Sequence, residues 1–257
     1  MDFDDAYAIG AHIPGSEAYP EIWTQTAADF RAVTRCDIDV SYGDSARQKI
    51  DFFYPPQAAK GLVVFVHGGY WRSFDKSFWS HLAAGPVSCG WAVAMPSYDL
   101  CPDVRITEIG QQIARSIAFA AKHVAGPIRL VGHSAGGHLV ARVMDLPDAD
   151  GWRNRVQKVV AISPVADLVP LLQTTMNDDL KLTKAEALRE SPLRQPAPDL
   201  PVTVWVGADE RPVFLAQAKA FAQAWDCRIV VEHARHHFDV IDGMADVGSS
   251  LLAEVVS

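Results

Sequence analysis

The sequence lacks the features that mark several large classes of protein. None of its apolar runs approaches the roughly 20 residues that span a bilayer, so no transmembrane helix is expected. The formal net charge is −8 and the basic residues form no block, which argues against nucleic-acid binding. Residues 1–5 are acidic and do not show the basic-then-apolar order of a secretory signal. We therefore expect a cytoplasmic protein with neither a nucleic-acid nor a membrane partner.

Cysteine is also scarce. The four cysteines are far apart and include no C-x-x-C pair, so the sequence predicts neither a disulfide framework nor a zinc site. Asp75, Asp99 and Asp103 form no metal-ligand set with a nearby histidine. No glycine pattern matches a dinucleotide-binding or phosphate-binding loop. We therefore expect no metal and no other cofactor. The cysteines are Cys36, Cys89, Cys101 and Cys227.

Apolar segments typical of buried strands are present, and they alternate with segments of helical periodicity. The run at residues 62–66 is apolar throughout, as expected of a strand buried on both faces of a parallel sheet. The first two strands are joined too tightly for a parallel crossover. The pattern predicts an α/β fold with a mostly parallel sheet, antiparallel at its start, and helices on both faces. Strands are predicted at residues 38–42, 48–54, 62–66, 91–95, 128–131, 156–162, 202–206 and 228–232, and helices at residues 19–33, 78–87, 106–123, 135–144, 184–190, 213–224 and 240–255.

Two segments stand apart from this alternation. Residues 1–35 contain no strand pattern and form a helical lead-in, whose helix packs either over the mouth of a site or simply against the core. Residues 166–201, approximately, are rich in proline and charge and are interpreted as a small cap or insertion. Nothing marks a second domain, so we expect one domain over residues 1–257.

Residues 128–139 hold the motif around which we interpret the rest of the chain. A short apolar strand is followed by G-x-S-x-G at residues 132–136 and by the start of a helix. The flanking positions of such a tight turn must be small, and glycine also tolerates unusual backbone angles. The turn places the hydroxyl of Ser134 at the carboxyl end of a strand, where sheet-based active sites lie. Ser134 is therefore the candidate nucleophile.

A serine hydroxyl needs a base to remove its proton, and the base needs an acid to orient it. His236 and His237 follow the last predicted strand. His237 is the preferred base because it lies directly before the aromatic residue at the entrance of the last helix, and His236 is the alternative. Asp209, which follows the preceding strand, is the preferred acid, with Glu210 as the alternative. A helix-capping role would also suit Asp209.

Backbone N–H groups are needed to bind the oxyanion of a tetrahedral intermediate. Ala135 supplies one candidate, because it follows the nucleophile at a helix N-terminus. Gly68 and Gly69 supply two more, since they follow the strand at residues 62–66 and glycine lets the main chain approach a substrate closely. Tyr70 is a weaker candidate.

The same loop continues into an aromatic segment. His67 is expected to brace the loop through a side-chain hydrogen bond and not to transfer protons. Tyr70 and Trp71 are candidate substrate-binding residues, although any of these aromatic side chains could instead pack the following helix. The other aromatic residues of the segment are Phe74, Phe78 and Trp79.

In these motifs the chain resembles the α/β-hydrolase superfamily and, within it, the kynurenine formamidase (arylformamidase) group. The resemblance rests on the H-G-G-x-W loop at residues 67–71, on residues 132–137, and on the order Ser134, Asp209, His237. It extends over nearly the whole chain, including the lead-in. Less specific similar stretches are residues 42–43, 51–55, 97–102, 163–168, 170–171, 207–210 and 237–239.

The resemblance implies an α/β-hydrolase fold and hydrolysis of N-formyl-kynurenine to kynurenine and formate without a metal. Ser134 would attack the formyl carbonyl carbon with His237 as base. The oxyanion would rest on the N–H groups of Gly68, Gly69 and Ala135. A general carboxylesterase acting on small acyl or aryl esters would share every one of these residues and is the alternative, since related sequences include such enzymes.

Other questions stay open at the level of sequence. A non-catalytic binding protein with the same fold is a further alternative, although no catalytic residue is missing. The oligomeric state is undetermined, with a homodimer among the options. An amino-acid substrate needs a partner for its carboxylate, and neither Arg72 nor Arg105, the arginines near the site in sequence, can be assigned that role.

Overall fold

Eight strands form one sheet in the computed structural model, which describes residues 2–257. The strands are β1 (Cys36–Ser41), β2 (Lys49–Phe53), β3 (Leu62–Val66), β4 (Ala92–Pro96), β5 (Ile128–His133), β6 (Val156–Ile162), β7 (Val202–Gly207) and β8 (Arg228–Glu232). Their order in the sheet is β1-β2-β4-β3-β5-β6-β7-β8. β2 pairs antiparallel with β1 and β4, and all other neighbours are parallel. The predicted mostly parallel sheet with an antiparallel start is confirmed.

Helices cover both faces of this sheet. They are α1 (Phe3–Tyr7), α2 (Tyr19–Val33), α3 (Ala84–Ser88), α4 (Ile106–His123), α5 (Ala135–Arg142), α6 (Asn177–Leu180), α7 (Lys184–Glu190), α8 (Pro212–Ala224) and α9 (Ser250–Val256). Leu62, Val64 and Val66 of β3 pack into one core with α4, α5 and α8. Val63 and Phe65 pack into a second core with α2 and α9. Both faces of β3 are therefore buried, which explains its continuous apolar sequence.

The longest helix, α4, follows directly from the spacing of its apolar residues. The backbone N–H of Arg105 donates to the Glu108 carboxylate at 2.8 Å and caps its first turn. Burying each isoleucine contributes about 1.5–3 kcal/mol, so packing of this face stabilises the helix more than the cap does. In residues 2–257 no helix is both long enough and apolar enough to cross a membrane. The isoleucines buried on one face of α4 are Ile106, Ile109, Ile113 and Ile117.

Two predicted helices are interrupted. The segment at residues 240–255 forms a 3-10 helix at Asp242–Met244, a turn containing Gly248, and only then α9. The hydroxyl of Ser249 accepts from the N–H of Leu252 at 3.0 Å, and this cap starts α9 anew. The segment at residues 78–87 forms two 3-10 helices, at Lys76–Phe78 and Ser80–Ala83, and then the short α3. The prediction of single helices in these two places was wrong.

The helical lead-in and the segment after β6 both lie over the carboxyl ends of the strands. In that segment, 3-10 helices at Val169–Gln173 and Pro192–Arg194 flank α6 and α7. The Thr175 N–H donates to the Asp4 carboxylate at 2.7 Å, and the Tyr70 hydroxyl donates to the carbonyl of Tyr7 at 2.8 Å. These bonds connect the lead-in to the cap and to the loop after β3.

Candidate active site

Ser134 occupies a strained turn between β5 and α5. Its backbone angles, φ 57° and ψ −118°, are unusual for a residue with a side chain and cost of order 1–3 kcal/mol. The turn closes only because its neighbours are glycines. A Cβ at Gly132 would lie 2.1 Å from the carbonyl oxygen of Gly136, and one at Gly136 would lie 2.0 Å from that of Val66. The tightly packed turn therefore holds the Ser134 side chain at the end of β5, where it lines a cavity.

His237 lines the same cavity. Its ring packs against those of Phe214 and His133, with centroid separations of 4.5 Å and 4.6 Å. Its Nδ1 donates to the Glu210 carboxylate at 2.6 Å, and its buried Nε2 has no partner among residues 2–257. No hydrogen bond within 3.5 Å joins Nε2 to the Ser134 hydroxyl; such bonds often tighten only when substrate is bound. A proton can thus be accepted at Nε2 while Glu210 holds Nδ1.

Both ring nitrogens of His236, the alternative base, have other hydrogen-bond partners. Its Nε2 is 3.2 Å from the Tyr19 hydroxyl, and its Nδ1 accepts from the N–H of Phe238 at 3.1 Å. It does not line the cavity that holds Ser134. Of the two adjacent histidines, only His237 has a nitrogen available beside the serine.

The acid predicted from the sequence makes no hydrogen bond to this histidine. Asp209 is exposed, and its side chain bonds to no other described residue. Glu210 is buried and bonds to the His237 ring. The turn after β7, closed by the Glu210 N–H and the Gly207 carbonyl at 3.4 Å, sends the two consecutive side chains in opposite directions. Asp209 is therefore corrected to Glu210 as the partner of His237.

Ser163, which the sequence interpretation did not assign, fixes the Glu210 carboxylate from the other side. It follows β6 with a positive φ of 46°, and its N–H donates to the carbonyl of Trp205 at 2.6 Å. Its hydroxyl donates to Glu210 Oε1, which also accepts from the N–H of Gly207 at 3.0 Å. Its position directly after a strand, before a proline, is the one signal that could have identified it.

Replacing Ser163 with alanine is expected to lower kcat/KM about tenfold, because the Glu210 carboxylate loses one of its three hydrogen bonds and orients His237 less firmly. Steady-state kinetics with thermal unfolding in parallel would measure this. Ser116→Ala is the matched control, since Ser116 is also buried but bonds only to the Ile113 carbonyl within α4. Equal activities of the two variants would contradict this role of Ser163.

The loop after β3 brings three candidate N–H donors to the serine. Within the part of the chain that the structure describes, no backbone acceptor takes the N–H of Gly68, Gly69 or Ala135. A Cβ at Gly68 would lie 2.9 Å from the Cβ of Ser134, so this backbone passes directly beside the candidate nucleophile. Gly69 has φ 111°, a conformation that favours glycine. The free donors can therefore face an oxygen bound next to Ser134.

Buried histidines around this loop are neutral and serve structure. The Nδ1 of His67 donates to the Gly68 carbonyl at 2.7 Å, and its ring stacks on Tyr98 at 4.5 Å. Burial lowers the pKa of His67 to about 4 and that of His133 well below its usual range. His67 thus braces the loop through its side chain, as the sequence predicted.

A cavity of about 370 Å³ extends from Ser134 under the lead-in, within the size range of small-molecule sites. Tyr70 lines it, but Trp71 does not: Trp71 is fully buried with its ring edge-on to His138 at 4.9 Å. Both residues have positive φ, 50° and 57°, so the loop doubles back and turns Trp71 into the core. The prediction that Trp71 contacts substrate is corrected. Histidines apart, the aromatic residues on the wall are Tyr7, Trp23, Tyr70, Phe74, Trp79 and Phe238.

Of the two arginines that could not be assigned from the sequence, only Arg72 lies at the cavity. Arg72 lines the cavity and pairs with Asp179 at 2.6 Å. Arg105 pairs with Glu186 and does not line the cavity. Across residues 2–257, no group of three or more His, Cys, Asp or Glu side chains is placed to hold a metal ion.

Comparisons with known proteins agree with this geometry. A family model described as alpha/beta hydrolase fold matches residues 63–237. Kynurenine formamidase of Danio rerio is 29% identical over 237 residues, which cover 84% of this chain and 79% of that protein. A solved structure from a Silicibacter species, provisionally described as a thioesterase, is 52% identical over the full length of both chains with a TM-score of 0.97. A Pyrobaculum calidifontis esterase shares the fold with a TM-score of 0.71 at 16% identity, covering 94% of each chain.

Proposed function

Because this chain belongs to the α/β-hydrolase fold family and is a hydrolase, we propose that it acts through Ser134 as a nucleophile on a small acyl amide. One observation carries the proposal. His237 donates from Nδ1 to the buried Glu210 carboxylate and shares the cavity of Ser134, where its Nε2 has no partner among the described residues. A serine, a free imidazole nitrogen and a buried carboxylate are the groups that nucleophilic acyl transfer requires.

In the first half of the proposed reaction, the Ser134 oxygen bonds to the acyl carbon while Nε2 of His237 takes the hydroxyl proton. Glu210 keeps the other ring nitrogen protonated and stabilises the resulting imidazolium. The negative charge moves to the former carbonyl oxygen. The N–H groups of Gly68, Gly69 and Ala135 bind this oxygen and stabilise the intermediate.

In the second half, the imidazolium returns its proton to the departing nitrogen, and the bond between that nitrogen and the acyl carbon breaks. The acyl group stays on the serine as an ester. His237 then takes a proton from water, whose oxygen attacks the ester carbon. The carboxylic acid leaves, and the proton returns to Ser134.

We propose N-formyl-kynurenine as the substrate, with kynurenine and formate as products. The aromatic wall of the cavity suits an aryl leaving group, and the formamidase of Danio rerio supports the formyl group. Hydrolysis of small esters or thioesters is the second candidate, because the provisionally described thioesterase is 52% identical. Both reactions use the same mechanism and the same residues, so the fit of the substrate to the cavity determines which one is faster.

The substrate proposal predicts that catalysis is strongest on the formamide. Dividing kcat/KM by the uncatalysed rate constant is expected to favour N-formyl-kynurenine over p-nitrophenyl acetate and a short acyl thioester by about hundredfold or more. The division is needed because activated esters react fast even without a well-fitted site. Measurements with Ser134→Ala supply the background. Cleavage of the ester or thioester without cleavage of the formamide would refute the formamidase and leave the serine mechanism intact.

We also propose that residues 1–257 form one domain in which the lead-in and the cap complete the active site. Trp23 from the lead-in and Met176 from the cap both line the cavity. The four unpaired cysteines agree with the predicted cytoplasmic location, which stays a prediction.

A further inference from the structure

Two opposite charges lie on the wall of the cavity that holds Ser134. Among residues 2–257, the acidic and basic side chains that line the cavity, histidines apart, are those of Asp4 and Arg72. Neither has a part in the proposed acyl transfer. A charged pair facing an aromatic pocket indicates recognition of a charged substituent on the substrate.

Arg72 keeps most of its hydrogen-bonding capacity for a ligand. Its Nη1 donates to Asp179 at 2.6 Å, and none of its other side-chain N–H groups bonds to a described residue. About a third of its side chain, 35%, is exposed. Asp179, on α6, holds the guanidinium at one edge and leaves the planar fork that matches a carboxylate.

Asp4 is held in a similar way by the same short segment of the cap. Its Oδ1 accepts from the N–H and the hydroxyl of Thr175, at 2.7 Å and 2.9 Å. Its Oδ2 accepts from no described residue. Thr175 lies just before α6, which carries Asp179, so the cap orients Asp4 and Arg72 together. Each charge is fixed in place with one side open.

We propose that Arg72 and Asp4 form a subsite for the zwitterionic head of an α-amino acid whose side chain is an aryl formamide. Arg72 donates two N–H groups to the α-carboxylate, and Asp4 accepts from the α-ammonium. The aryl ring lies between this subsite and Ser134, against Tyr70 and Phe74. The inference rests on the proposed function and adds to it the part of the substrate that determines specificity.

The test compares N-formyl-kynurenine with 2-formamidoacetophenone, which has the same aryl ketone and formamide but no amino-acid head. Arg72→Gln is expected to lower kcat/KM for N-formyl-kynurenine about ten- to hundredfold, mainly through KM. Its effect on 2-formamidoacetophenone is expected to be at least about tenfold smaller. Arg72→Lys, which keeps the charge but not the fork, is expected to give an intermediate loss. Arg194→Gln is the matched control: Arg194 pairs with Asp167 in the same cap and does not line the cavity.

Asp4 is tested with the analogue of N-formyl-kynurenine that lacks the α-amino group. Asp4→Asn is expected to lower kcat/KM for N-formyl-kynurenine by about tenfold and to affect the des-amino analogue much less. The des-amino analogue should remain sensitive to Arg72→Gln, because it keeps the carboxylate. The two charges are thereby assigned to the two ends of the zwitterion independently.

The outcomes separate this inference from the proposed function. If Arg72→Gln lowers kcat/KM equally for N-formyl-kynurenine and 2-formamidoacetophenone, the subsite is refuted while formamide hydrolysis stands. The same holds if the wild-type protein does not prefer N-formyl-kynurenine, the zwitterionic substrate. Hydrolysis of neither formamide by the wild-type protein would overturn the proposed substrate and this inference with it. Thermal unfolding of each variant is measured in parallel; if Arg72→Gln does not fold, Arg72→Lys and Asp4→Asn carry the comparison.

Discussion

Replacing Ser134 with alanine is expected to lower kcat by about five to six orders of magnitude on any substrate that the protein hydrolyses. Without the hydroxyl no covalent acyl intermediate forms, and the free N–H groups and His237 can act only on a bound water. The Ser134 side chain makes no capping hydrogen bond to α5 and lines the cavity. Its loss is therefore expected to change the free energy of unfolding by about 1 kcal/mol or less. Single-turnover kinetics and thermal unfolding would measure the two effects.

Covalent labelling checks the same residue without a chosen substrate. A fluorophosphonate should modify wild-type Ser134 and leave Ser134→Ala unlabelled, while Ser163→Ala should still be labelled at a reduced rate. Residual hydrolysis by Ser134→Ala within a few-fold of wild type would refute the nucleophile. Folded wild-type protein that resists the reagent would instead favour a non-catalytic binding protein with this fold.

Replacing Glu210 with glutamine is expected to lower kcat by about three to four orders of magnitude, with little change in KM. The amide is nearly the same size as the carboxylate but is neutral, so it cannot stabilise the imidazolium. An amide N–H turned toward Nδ1 would also favour the wrong tautomer of His237. The measurement is kcat against pH for the variant and the wild-type protein.

Asp209→Asn is the matched control, because it makes the same chemical change at the neighbouring residue. Asp209 is exposed and makes no side-chain hydrogen bond to His237, so the activity of this variant is expected to stay within about twofold of wild type. A larger loss from Asp209→Asn than from Glu210→Gln would restore the acid predicted from the sequence. It would also show that the turn after β7 is arranged differently in solution.

Local sequence pattern was sufficient to predict the bounds of elements whose burial is regular along their length. The apolar run at Leu62–Val66 and the periodic isoleucines of Ile106–His123 predicted β3 and α4 with the bounds that the structure shows. Both depend on repeated burial along one segment, which a sequence records directly. Residues 240–255 also contain apolar residues at helical spacing, but there the cap at Ser249 begins a new helix. The Ser249 hydroxyl also donates to the carbonyl of Gly243 in the preceding 3-10 helix, a local bond that periodicity does not predict.

Some features of the candidate site could likewise be predicted from local sequence, and others could not. Ser134 and His237 were identifiable as candidates because Ser134 follows β5 directly and His237 lies in the loop after β8. The carboxyl ends of parallel strands meet at one edge of a sheet. The choice between Asp209 and Glu210 depended on which way a turn points two consecutive side chains. The placement of Trp71 depended likewise on two consecutive residues with positive φ.

The sequence by itself was enough to predict an α/β fold with a mostly parallel sheet, because these follow from periodicity and from the order of strands and loops. The α/β-hydrolase family followed from the resemblance of the motifs, and the candidate nucleophile and base followed from their positions in loops after strands. Side-chain direction in the loops required the folded chain. The positions of Asp4 and Arg72 also required the folded chain, since each is held by a cap residue that is distant in sequence, Thr175 and Asp179 respectively. Periodicity describes which face of an element is buried, whereas a subsite depends on contacts between residues that no local pattern connects.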